Sequence, residues 1–190
     1  MRIIGEKGFN LLVLGIDPGS ITTGWALLKG QGKRISVVDS GVLRFNGKDK
    51  FLDRLTEIKS SSTSLIENLS PDAIAFESLI YVKSPQALIK LAQTRGVILS
   101  ACVEKYKNRI FEYSPNAIKS IAAGHGHADK EGVRKFLDMT IGKREYETHD
   151  ESDAVAIAMC HLLNSRRVDK KTVTRGSSGL AKALAHKIGS

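Results

Sequence analysis

Leu11-Leu12-Val13-Leu14-Gly15-Ile16-Asp17-Pro18-Gly19 is the stretch on which the fold turns. A continuous apolar run, without polar alternation, predicts a central strand, and Asp17-Pro18-Gly19 ends it in a turn. Downstream, Thr22 to Lys29 and Ile35 to Phe45 are rich in β-branched and aromatic residues, and Gly30 to Lys33 between them is a hairpin signal. The chain therefore opens as a three-strand meander. Asp49 to Leu69 then takes helical spacing (Leu52, Leu55, Ile58, Leu65, Ile66, Leu69), and Asp72 to Phe76 is a short strand whose end carries Glu77. Ser84-Pro85 is a helix start, with Ser as N-cap and Pro where a missing N–H costs nothing; Ser114-Pro115 repeats the device after the strand Arg109 to Tyr113. Further helices start near Asp129 and Asp150. A meander followed by βαβ alternation predicts an α/β fold: a mixed five-stranded sheet with helices on both faces.

The 190 residues suit one domain, and 42% hydrophobic with 26% charged residues excludes a disordered tail or a disulfide-stapled miniprotein. The two cysteines, Cys102 and Cys160, have no CxxC partner, which favours a reducing compartment. The apolar run ending at Ile16 is too short for a signal-peptide core or a membrane span, so a cytoplasmic protein with no membrane partner is expected. The net charge of +9 suits a polyanionic partner, although a generally solvated basic surface is the plainer explanation. From Asn164 onward seven Lys/Arg face a single acid, Asp169, so this tail carries +6 and residues 1–163 only +3. We expect a body at 1–163 and a basic, loosely ordered tail at 164–190.

Four acids stand at element ends: Asp17 after the first strand, Glu77 after the fourth, and Asp150 and Asp153 at the head of the last helix. Each has an ordinary explanation. Asp17 sits in a common turn, Glu77 ends a strand, Asp150 suits an N-cap, and Asp153 is favoured by the helix dipole. Jointly they point elsewhere. Open α/β sheets bind ligands beyond the carboxyl ends of their strands, and residues three apart share a helix face. Two like charges ~4 Å apart cost roughly 4 kcal/mol at an effective dielectric of about 20, so such a cluster needs cations or protons. Oxygen ligands without cysteine point to Mg²⁺ or Mn²⁺, and two such ions clamp the attacking and leaving oxygens of a phosphodiester. A basic chain with a carboxylate cage is a nuclease candidate.

These residues resemble the RuvC family of bacterial Holliday-junction resolvases. The likeness runs from Leu14-Gly15-Ile16-Asp17-Pro18-Gly19-Ser20 through Phe76-Glu77-Ser78, Lys83-Ser84 and Gln93 to Val97. It continues with Phe111 to Pro115, Lys119, Gly124 to Lys130, and His149 to Ala158. The resemblance implies a ribonuclease H-like fold and a homodimer. It also implies a metal-dependent endonuclease that resolves four-way DNA junctions, in recombination and repair, by paired symmetric nicks in strands of like polarity. Two Mg²⁺ per subunit, replaceable by Mn²⁺, would be held by Asp17, Glu77, Asp150 and Asp153 as the catalytic carboxylates, with Asp17 bridging. Lys119 and Lys130 match lysines that act on the junction backbone near the cut, and Lys83 falls in the same DNA-contacting neighbourhood. Where related resolvases carry a Phe wedge three residues after the glutamate, this chain has Ile80 followed by Tyr81, either of which suits a base contact. The family further implies the RuvA and RuvB branch-migration complex as partner. His149 reads as a neighbour of the site, His125 and His127 as a His-x-His pair that the family does not use for metal, and Gly96 as a mark of close packing near a dimer contact.

Two alternatives keep part of this reading: a ribonuclease H-like nuclease acting on another structured nucleic acid, and a junction-binding module without catalysis. A broken carboxylate set would mark the latter, and all four acids are present. Actin-like kinases share the Asp-x-Gly-Ser loop but need two such domains around ATP, more than 190 residues hold.

Overall fold

The computed structural model describes residues 9–79, 84–123 and 129–176. Strands β1 (Asn10–Asp17), β2 (Thr22–Gln31) and β3 (Arg34–Arg44) form the meander, with the hairpin turning at Gly32 in the left-handed region (φ 54°). Helix α1 (Phe51–Leu69) leads to β4 (Ala73–Glu77), and α2 (Pro85–Tyr106) leads through a single 3-10 turn to β5 (Ile110–Tyr113). Helices α3 (Pro115–Ala123), α4 (Lys130–Ile141) and α5 (His149–Gly176) complete the chain. The sheet order is β3-β2-β1-β4-β5, antiparallel across the meander and parallel from β1 to β5. The expected mixed five-stranded sheet is what forms.

Strand β1 lies at the centre because both of its faces are apolar. Leu14 and Ile16 point to one side, where they pack with Ile74 and Phe76 beneath Ile58 and Ile66 of α1 and Ile98 and Tyr106 of α2. Val13 points to the other, where Ala26, Leu28 and Ala75 meet the row Ala154, Val155, Ala158 and Leu162 of α5. Burying each large side chain contributes about 1.5–3 kcal/mol, so two opposed apolar faces make this strand the spine of the molecule. Cys102 and Cys160 lie in opposite cores and form no disulfide.

The capping signals act as read. Ser84 accepts from the N–H of Ala87 with Pro85 beside it, Ser114 accepts from Ala117, and Asp129 accepts from Gly132 at 2.8 Å. The last helix differs in two ways. Its cap is Thr148, whose Oγ1 accepts from the N–H of Glu151, so Asp150 is not the N-cap and its carboxylate is left for other work. And α5 continues to Gly176, well past the point where the basic tail was drawn, because Arg and Lys are good helix formers and no breaker intervenes before that glycine. The early part of this extension is docked: Arg166 donates to the carbonyl of Arg34 at 2.7 Å and lies over the Phe9 ring.

Candidate active site

The sheet register delivers the first two acids to one place. Strands β1 and β4 are parallel neighbours paired through Ile16 and Phe76, so Asp17 and Glu77 follow as the last residues of adjacent strands. Across the antiparallel side, Asp17 pairs with Gly24 of β2. A Cβ on Gly24 would lie 2.0 Å from the carbonyl oxygen of Asp150 and 2.7 Å from the amide nitrogen of Glu151. The first turn of α5 therefore rests with its backbone on the residue opposite Asp17, which only glycine permits. One turn further on, a Cβ at Gly15 would lie 2.2 Å from the carbonyl oxygen of Ala154. These two glycines, which sequence reading did not single out, seat the helix that brings Asp150 and Asp153 to Asp17 and Glu77. A glycine inside a strand signals close approach of something, but not of what.

The charges are felt across the cluster. Burial first, then the carboxylates of Asp153, Asp150 and Glu77, push the pKa of Asp17 up to about 7, while Lys130 pulls it down. Glu77 is raised by burial and by Asp153, against Lys130 and Lys119. Asp150 is raised by burial and by Asp153, against His149 and Lys130. The structure thus brings together all four sequence-selected acids and both selected lysines. Lys130 reaches Asp153 at 3.6 Å, but with both side chains well exposed this pair is screened and weak. Among the described residues no three acids or histidines stand as a closed cage of metal ligands. The cluster still fits a divalent cation: its donors are hard carboxylate oxygens, and Asp153, Asp150 and Glu77 add to burial in disfavouring the charge on Asp17.

A cavity of about 440 Å³ opens beside the acids, walled by Glu77, Lys119, Lys130, His149 and Asp153 at its polar rim and by Ile118, Leu137 and Ile157 within. Ile80, Tyr81, Lys83, Gly124, His125, Gly126 and His127 lie outside the described residues. Further along α5, His161 is buried, its Nδ1 2.8 Å from the Tyr113 hydroxyl, and burial lowers its pKa to about 4. Gly96, expected to pack closely, meets nothing within 4 Å inside the chain; it lies on the exposed face of α2.

Sheet order, strand directions and helices on both faces define the chain as a ribonuclease H-like protein. Solved T. thermophilus RuvC in complex with Holliday junction substrate superposes with a TM-score of 0.75 at 26% identity, covering 83% of this chain and 96% of that one. The family model described as crossover junction endodeoxyribonuclease RuvC matches residues 13–161, and the chain belongs to that family of metal-dependent nucleases. Among its relatives, the crossover junction endodeoxyribonuclease of Halothermothrix orenii is 35% identical over 87% of this chain and 100% of its own length. That of Trichlorobacter lovleyi is 37% identical over 79% and 84%.

Proposed function

We propose that this chain is a metal-dependent endonuclease that resolves four-way DNA junctions in recombination and repair, nicking two strands of like polarity symmetrically. The observation that carries the reading is the convergence of Asp17, Glu77, Asp150 and Asp153 from three elements, with Lys119 and Lys130 beside them, in a member of the RuvC family. Two Mg²⁺ ions, or Mn²⁺ in their place, held by these four carboxylates would activate water and neutralise charge on the phosphodiester in flight. The protein's own contribution is placement. Asp17, the most deeply enclosed of the set, would hold the metal together with the other three acids, and Lys119 and Lys130 would hold backbone phosphates on the approach to the cut. The family likeness supports a base contact by Ile80 or Tyr81 and a DNA contact by Lys83. The catalytic body is residues 1–163, and it carries junction recognition, since outside the four acids its charge is +7. The basic segment from 164 adds nonspecific affinity.

A four-way junction has two-fold symmetry, which suits a C₂ dimer with one site per subunit. The exposed face of α2, with Ile89, Gly96 and Val103 at helical spacing, supports contact there. The family likeness supports RuvA and RuvB as partners and the cytoplasm as the place of action; no helix among the described residues is long and apolar enough to cross a membrane. The deciding experiment offers synthetic four-way junction, linear duplex and flap DNA, each with and without Mg²⁺. Mg²⁺-dependent nicking confined to the junction is expected. Equal cutting of all three would replace the reading with a general nuclease.

A further inference from the structure

Between Asp150 and Asp153 stands a third acid that faces away from both. Successive helix residues turn by about 100°, so Glu151 points off the site and back toward the meander. It is 6% exposed. One carboxylate oxygen accepts from the Ser40 hydroxyl of β3 at 2.6 Å, and the other accepts from the backbone N–H of Glu147, in the loop before α5, also at 2.6 Å. Its own N–H donates to the Thr148 cap. Ser40 pairs with Ala26 just past the bulge in β3, an irregularity of the kind that re-aims side chains. The loop is tied to β3 a second time by the ion pair of Arg44 with Glu147.

The first turn of a helix is the part most prone to fray. Here that turn carries two of the four acids, and their mutual repulsion pushes it outward. Gly24 sets how closely the turn approaches the sheet, but a backbone contact on a glycine offers no side chain to grip and does not set rotation about the helix axis. The two hydrogen bonds of Glu151, one to a strand and one to the incoming loop, set that rotation. A buried carboxylate is costly unless hydrogen-bonded, and this one is bonded on both oxygens.

We propose that Glu151 is a positioning residue for the metal site: by bridging Ser40 and the Glu147 amide it fixes the rotation of the first turn of α5, and with it the directions of Asp150 and Asp153. The proposal rests on the reading of those two aspartates as metal ligands. Residues that orient ligands typically cost about 10–100-fold in metal affinity when changed.

The test is Mn²⁺ binding to the full chain without DNA, followed by calorimetry or by the free-Mn²⁺ electron paramagnetic resonance signal, alongside Tm. Glu151→Leu keeps roughly the size but removes both accepting oxygens, leaving the Ser40 hydroxyl and the Glu147 N–H without this partner. It should bind Mn²⁺ about 10–100-fold more weakly, and Ser40→Ala, which removes one of the two bonds, should fall in between. Ile66→Val, in the opposite core, lowers Tm without touching this turn and should leave Mn²⁺ affinity unchanged. Wild-type Mn²⁺ affinity in Glu151→Leu, with binding lost in Asp153→Asn, would overturn the positioning role and leave the ligand reading standing. Equal weakening in Glu151→Leu and Ile66→Val would overturn it as well. Unaltered binding in Asp153→Asn would overturn the ligand reading and this proposal with it.

Discussion

Helix α5 touches the sheet with its backbone, whereas α1 and α2 meet the opposite face through long side chains. On the α5 side the contacts nearest the acids are small, Gly15, Gly24, Ala26 and Ala75 beneath Ala154 and Ala158, and larger residues such as Val13, Leu28 and Leu162 pack further along the helix. On the other side they are Leu14, Ile16, Ile74 and Phe76 beneath Ile58, Ile66, Ile98 and Tyr106. Small residues contribute less buried area but fix closely how near the helix lies to the sheet. Large ones contribute most of the hydrophobic stabilisation and tolerate adjustment by rotamer. The molecule has one face built for placement and one built for stability, and the acids are carried on the first.

The sharpest break of this contrast is at the acid itself. If the four acids hold the metal as proposed, Asp17→Asn should reduce cleavage by about 10³-fold, because it removes a carboxylate that would hold the ion stabilising charge on the phosphodiester. Junction binding, read by gel shift, should persist, and the metal-free protein should melt higher, since one of four mutually repelling charges is gone. Cleavage at wild-type rate would remove Asp17 from the chemistry. Next comes its neighbour across the ladder. In Gly24→Ala the new methyl must displace the Asp150 carbonyl from 2.0 Å, and a shift of about 1 Å at reacting groups costs on the order of 100-fold in kcat. Overpacking should also lower stability by about 1–3 kcal/mol. On the other face, Ile58→Ala should cost about 2–5 kcal/mol by thermal melting while kcat per folded molecule stays unchanged. If Ile58→Ala damaged kcat as much as Gly24→Ala does, the division of labour between the faces would fail.

That division also explains which features were legible in sequence. Strands announce themselves by apolar runs and helices by caps, and Ser84, Ser114 and Asp129 cap as read because a cap is a local hydrogen bond. Asp17, Glu77, Asp150 and Asp153 were legible because each stands at the end of an element that composition delimits. The seats were not. Gly24 matters through a helix more than a hundred residues away, and no local pattern names that partner. Glu151 reads as one more acid in a first turn, where the helix dipole favours acids anyway, until Ser40 is seen on its oxygen. The length of α5 was missed because a basic, serine-containing stretch resembles a solvated tail, and the docking of Arg166 on the hairpin depends on the register of β2 with β3.

The finest test lies within the placement face, where two buried groups on or against α5 titrate in opposite senses. Asp17 has its pKa raised in the fold, to about 7 from 3.8. Its protonated form is the one folding favours, so the stability it contributes is present below about pH 4 and is lost as pH rises to 7. His161 has its pKa lowered, to about 4 from 6.5. Its neutral form is favoured, so its contribution is present above pH 6.5 and is lost as pH falls toward 4. Each amounts to on the order of 3 kcal/mol over nearly the same window, with opposite slopes. Glu77 and Asp150 are raised in the same sense as Asp17 and add to its slope, so in the metal-free wild type the gain from His161 between pH 4 and 7 should be offset by the carboxylates. Asp17→Asn removes the largest of the carboxylate slopes, so its Tm should rise relative to wild type as pH goes from 4 to 6.5. Saturating Mg²⁺ stabilises by binding the carboxylate form, so the wild type should then take the profile of the mutant. Parallel profiles for wild type and Asp17→Asn in the absence of metal would mean that Asp17 does not hold its proton in the fold, and that the four acids share less charge than their placement on α5 and the strand ends requires.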